Sequence, residues 1–155
     1  MGLVSGETPL TYKSLTKEKL KELLALLSNL PIDYVIADAV TFIMNDTLSM
    51  FSLEFADKII RMITPDVKGI EYEKTNLFWL RNSFLKENHI KVLSPVFENS
   101  PISEVEYVCG AADFKLVYSE EVRNAFLSGC PITGFKYTSG IAFEQEAKKI
   151  TEEIL

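Results

Sequence analysis

The chain has 155 residues, 47% of them hydrophobic and 25% charged, with 16 Lys and Arg against 22 Asp and Glu for a formal net charge of −6. This is ordinary globular usage at a length that suits a single domain over residues 1–155, and it excludes collagen-like, disordered and disulfide-stapled classes. The acidic balance also argues against direct nucleic-acid binding, which clustered Lys and Arg drive.

Cys109 and Cys130 are too few for a disulfide framework and lack the C-x-x-C spacing of a zinc or redox site. The longest stretch free of Asp, Glu, Lys and Arg, residues 124–135, contains Asn, Ser, Gly, Pro and Thr. It falls short of the roughly 20 apolar residues of a membrane span, so no membrane association is expected. The first residues lack the basic and apolar regions of a secretory signal, and the chain reads as cytoplasmic.

In chain order, residues 1–13 are rich in turn formers and read as a lead-in or a short edge strand. Thr16 is placed to cap a helix in which Leu20, Leu23, Leu24, Leu27 and Leu30 form one apolar stripe, ended by Asn29 and Pro31. Residues 32–44, β-branched and aromatic but interrupted by Asp33 and Asp38, read as a strand or as a short strand running into a second element. A second helix is expected from Ser52, with Phe55, Ile59, Met62 and Ile63 as its buried stripe and a stop at residues 64–66. Residues 69–73 alternate as a half-buried strand does. Residues 77–85, with Phe78, Trp79 and Phe84, read as helix or irregular core.

Residues 90–97 and 104–109 read as two strands around the turn at Asn99, Ser100 and Pro101, and residues 114–118 as a third. Ser119 is placed to cap a helix with Glu120 and Glu121 in its first turn and Val122, Ala125 and Phe126 inward, closed by Ser128 and Gly129. Residues 131–137 read as a turn into a strand. Residues 141–155 set Phe143, Ala147, Ile150 and Ile154 on one face, an amphipathic helix that should pack on a sheet. The fold class expected is α+β, a mixed or mostly antiparallel sheet with three to five helices on it.

Residues 48–73 and 115–138 echo each other. Ser52 aligns with Ser119, Glu54 with Glu121, Phe55 with Val122, Ile59 with Phe126, Gly69 with Gly134, Ile70 with Phe135 and Tyr72 with Tyr137. Either two related strand–helix–strand units share one sheet, or the echo reflects the caps and turn glycines that any such unit needs.

The segment from Leu116 to Phe126, with Val117, Ser119, Glu120, Val122 and Arg123, followed by Ile132, Thr133, Gly134, Phe135 and Tyr137, resembles the C-terminal signature of bacterial immunity proteins from polymorphic toxin systems. The stretch with Ser52, Gly69 and Tyr72 resembles the looser first half found in the same group. The resemblance implies a non-enzymatic protein that binds a cognate toxin protein and neutralises it by occlusion. It marks Ser52, Gly69, Tyr72, Ser119, Glu121, Gly134 and Tyr137 as a structural signature, and it supplies no catalytic residue and no cofactor.

The residues themselves offer little other chemistry. His89 is the single histidine, so any triad must be built on it, yet it follows charged Lys86 and Glu87 as a turn residue does. The pairs Glu71/Glu73 and Glu104/Glu106 would share a strand face, where carboxylates serve as an acid/base or cation pair or, more commonly, as a solvated surface. No glycine-rich phosphate loop occurs. Phe78, Trp79 and Phe84 form core, line a pocket or make a partner-binding patch. A second function from another class is therefore a small-molecule-binding or hydrolytic domain with a pocket near Trp79 and His89.

Overall fold

The computed structural model describes residues 16–39, 46–79 and 89–154, side chains at 77–79 excepted. It divides into two compact units, Met1–Ala56 and Asp57–Leu155.

The first unit contains α1 (Lys17–Ser28) and α2 (Thr47–Phe55). Thr16 caps α1, its side chain accepting from Lys19 N at 3.4 Å, and Leu20 is fully buried. Residues 32–39 form neither strand nor helix and are exposed, Ile36 almost completely, so no strand begins there; residues 40–45 lie outside the described part. The second helix starts earlier than expected. Asp46 rather than Ser52 is its cap, with Oδ2 accepting from Ser49 N at 2.7 Å. Ser52 lies inside it and donates back to Leu48 O at 2.8 Å. The rings of Phe51 and Phe55 pack in a tilted arrangement with centroids 4.5 Å apart.

The second unit is built as β1 (Ile59–Ile63), α3 (Val67–Trp79), β2 (His89–Val96), α4 (Ile102–Cys109) and β3 (Phe114–Val117), then α5 (Glu120–Leu127) and α6 (Thr138–Ile154). The fold is α+β, with six helices among the described residues. The sheet has the order β1-β2-β3 and is parallel throughout, not mixed or antiparallel. The reason is connectivity: each strand is followed by a helix that carries the chain back to the starting end, and parallel neighbours require such a crossover.

Four segments differ from the expectation. Residues 59–63 form a strand rather than the end of a helix. Residues 69–73 lie within α3, because Asp66 accepts from Gly69 N at 2.7 Å and starts a helix there. Residues 104–109 lie within α4, where Ile102, Val105 and Cys109 share a buried face. Residues 131–137 form a loop with no strand. The two halves of the sequence echo therefore differ in structure: Ser52 is inside α2 whereas Ser119 caps α5, and Gly69 is helical whereas Gly134 is in a loop.

Adjacent residues of β2 point to opposite faces, and each face has its own core. On one face Ile63, Leu93, Val105 and Cys109 pack with Ile70, Val96, Ile102 and Ala112, drawn from β1, β2, α3 and α4. On the other, Ile90, Val92 and Leu116 pack with Ile150, and Phe114, Phe143, Ala147 and Ile154 surround them. Helix α6 thus lies on the sheet as its stripe predicts. Arg61 and Glu73 form an ion pair, both side chains nearly buried. Among the described residues no helix is long and apolar enough to cross a membrane.

Candidate functional site

The strand ends shape the candidate site. Pro95 has no N–H to give to the ladder, and the β2–β3 register slips beside it: Leu93 pairs with Lys115 but Val96 with Val117, three steps against two. The peptide bond between Ser94 and Pro95 is cis. Beyond this irregularity the connections diverge. The chain leaving β2 enters α4, on the first face, while the chain leaving β3 enters α5 and then α6, which covers the second. Neighbouring parallel strands that diverge in this way leave a crevice at their carboxyl ends.

A cleft of about 620 Å³ occupies that position. Pro95, Val117, Val122, Phe126, Ile132 and Phe143 form most of its wall, with Ser94, Tyr118, Ser119 and Arg123 supplying polar groups. Tyr118 N donates to Val96 O at 2.8 Å, tying the two strand ends together, and the Tyr118 ring stacks on Phe97 at 4.6 Å. The Tyr118 hydroxyl donates to Glu120 Oε2, and Arg123 Nη1 donates to Glu120 Oε1 at 2.9 Å. The Tyr118 bond, then the Arg123 charge, hold the Glu120 carboxyl below its usual range. The Glu120 charge in turn raises the Arg123 guanidinium, which stays protonated.

Of the signature residues, four converge beside the cleft. Ser119 Oγ accepts from Val122 N at 3.4 Å, capping α5, and from Ser139 Oγ at 3.2 Å. The Glu121 carboxylate accepts from Lys136 N at 3.0 Å and from Tyr137 N at 3.1 Å, holding the chain where α6 begins. Gly134, at φ +74°, donates its N–H to Glu144 Oε2 at 3.0 Å. Gly140 closes the corner: a Cβ there would stand 2.5 Å from Glu121 Oε2 and 2.7 Å from Phe135 Cβ. These residues build the α5–α6 corner.

The other three signature residues lie elsewhere, Ser52 in α2 and Gly69 and Tyr72 in α3. Tyr72 is half-buried, and burial, then the Glu73 charge, push its hydroxyl above the usual range.

The remaining candidates are dispersed. His89 opens β2 opposite Ile59, whereas the cleft lies at that strand's far end. The side chains of Phe78 and Trp79, and all of Phe84, lie outside the described part. The two glutamate pairs are on helices rather than strand faces, so their members part. Glu71 is exposed and meets Lys74 at 2.9 Å, while Glu73 turns inward to Arg61. Glu106 binds Lys115 at 2.9 Å and Ala112 N at 3.2 Å, which lower its carboxyl, Lys115 foremost; Glu104 is exposed. Cys109 is buried and Cys130 exposed, both as free thiols. Among the described residues no three His, Cys, Asp or Glu side chains gather as a metal site would require.

Residues 94–95, 117–123 and 143 are far apart in sequence, and their meeting was not readable from it. One signal was present, a proline inside a β-branched run, which marks an irregular strand end. No family model, curated protein or solved structure matches the chain.

Proposed function

We propose that this chain is a bacterial immunity protein, which binds a cognate toxin domain in the cytoplasm and neutralises it by covering its active surface, without chemistry of its own. The observation that carries the reading is the outer surface of the α5–α6 corner. Phe126 and Leu127, the last turn of α5, are 71% and 67% exposed, Phe126 against its expected inward placement, and Tyr137 and Ile132 are exposed on the loop that follows. Grouped large apolar side chains on a surface mark a place where another macromolecule docks. Four of the seven residues of the immunity-protein resemblance, Ser119, Glu121, Gly134 and Tyr137, support this corner as scaffold.

The net charge of −6 adds steering. Toxin domains that attack nucleic acid present basic clefts, and an acidic partner approaches them faster at low salt.

Co-expression with the toxin domain encoded beside the gene tests the reading. Wild type restores growth and co-purifies with the toxin, whereas Phe126→Asp with Leu127→Asp folds but neither protects nor binds. Failure of the wild type to protect overturns the function. Full protection by the double variant overturns the choice of surface.

A further inference from the structure

We propose that the cleft at the carboxyl ends of β2 and β3 binds a small amphipathic carboxylate, with its apolar body against Pro95, Val117, Val122 and Phe143 and its carboxylate on Arg123. This site shares Phe126 and Ile132 with the docking surface above, but its argument does not rest on the neutralising role.

Three observations lead to that ligand class. The first is position: in open parallel sheets, ligands bind where neighbouring connections part at the strand carboxyl ends, and this cleft occupies that place. The second is size and wall chemistry. About 620 Å³ falls within the range of small-molecule pockets, and a wall of Pro, Val, Ile and Phe with a few polar groups matches their usual composition. The third is charge. Arg123 is the single charged residue in the wall, and Glu120 is not part of it.

The fit to a carboxylate follows from the guanidinium. It carries five N–H donors in a planar fork, and Glu120 Oε1 takes Nη1 at 2.9 Å. A second carboxylate can share the fork, and the Ser94 hydroxyl stands in the same wall, whereas the Tyr118 hydroxyl already donates to Glu120. An ammonium head would instead meet Arg123 as a like charge.

The test uses the full chain, labelled with 15N and titrated with 4-phenylbutyrate, 4-phenylbutanol and 4-phenylbutylamine, which share one body and differ in head group. The carboxylate is expected to shift the amides of Val117, Ser119 and Val122 saturably and to bind roughly tenfold more tightly than the alcohol, with the amine weakest. Arg123→Gln, at an exposed position, should abolish the carboxylate's advantage while leaving the alcohol's affinity unchanged. Val122→Trp, which fills the cleft, should block all three. Equal affinity for the three probes, an advantage that survives Arg123→Gln, or shifts confined to the apolar face of β1 at Ile60 and Met62 would overturn the proposal.

Discussion

The guanidinium of Arg61 on β1 and the carboxylate of Glu73 on α3 meet inside the protein, with side-chain exposures of 12% and 4%. The pair links a strand to the helix that follows it, beside the core of Ile63, Leu93, Val105 and Cys109. A buried pair contributes little net stability, but removing one member strands the other charge, at about 3–5 kcal/mol. Arg61→Leu should therefore lower the urea midpoint sharply, while Arg61→Met with Glu73→Leu should recover most or all of the loss. A double variant no better than the single would refute this account of the pair.

Two glycines are fixed by close approach. At Gly69 a Cβ would lie 2.0 Å from the Thr64 carbonyl oxygen, and at Gly140 it would strike Glu121 and Phe135. Gly69→Ala meets main chain and should cost roughly 1–3 kcal/mol, through a shift of the first turn of α3. Gly140→Ala meets side chains that can yield in part and should cost less. Thermal melts of the two variants rank them, and a reversed order would contradict the geometry.

Acid should loosen the second unit in a specific way. Lys115 and the Ala112 N–H hold the Glu106 carboxyl low, and Lys148 and the Gly134 N–H do the same for Glu144. A carboxyl lowered by folding contributes stability above its unfolded value, near pH 4, and that contribution is lost as pH falls through the lower folded value. Urea midpoints should hold steady above about pH 5 and decline below about pH 4. Glu106→Gln and Glu144→Gln should each flatten the decline, and a decline as steep in both variants would count against these contacts.

The two thiols should react in separate phases. Cys130 is exposed, whereas Cys109 is buried, donates to Val105 O at 2.9 Å, and is raised by burial and then by the Glu73 charge. Since the thiolate is the reactive form, a thiol reagent at neutral pH should label one cysteine quickly and the second only on unfolding. Cys130→Ser should remove the fast phase. Rapid labelling of that variant would show Cys109 to be accessible.

Local signals carried much of the fold. The Thr16 cap with its leucine stripe, the Ser119 cap and the Phe143-to-Ile154 face each specify a helix through contacts within one turn or one stripe, and α1, α5 and α6 formed accordingly. The strands at 89–96 and 114–117 were readable from their apolar residues and the turn formers around them. Residues 59–63 were not, because Ile59, Ile60, Met62 and Ile63 are apolar on both strand faces although only Ile59 and Ile63 are buried, and a preceding helical pattern can absorb such a run. The alternation at 69–73 misled because Asp66, three residues before Gly69, sets a helix cap that outweighs a period-2 pattern. Once α3 and α4 are seen as helices, strand and helix alternate and a parallel sheet follows. The corner of Ser119, Glu121 and Gly134 was partly legible, since its caps are local. The cleft was not, because it forms where three distant strand and helix ends meet.

The core on the second sheet face has a consequence for synthesis. Ile90, Val92 and Leu116 leave the ribosome well before Ile150 and Ile154, the helix side chains that cover them. The first face, by contrast, is supplied entirely by residues up to Ala112. Nascent chain therefore emerges with one side of its sheet able to close and the other bare. During that interval the newborn protein offers chaperones an apolar strand surface that only α6 can take away.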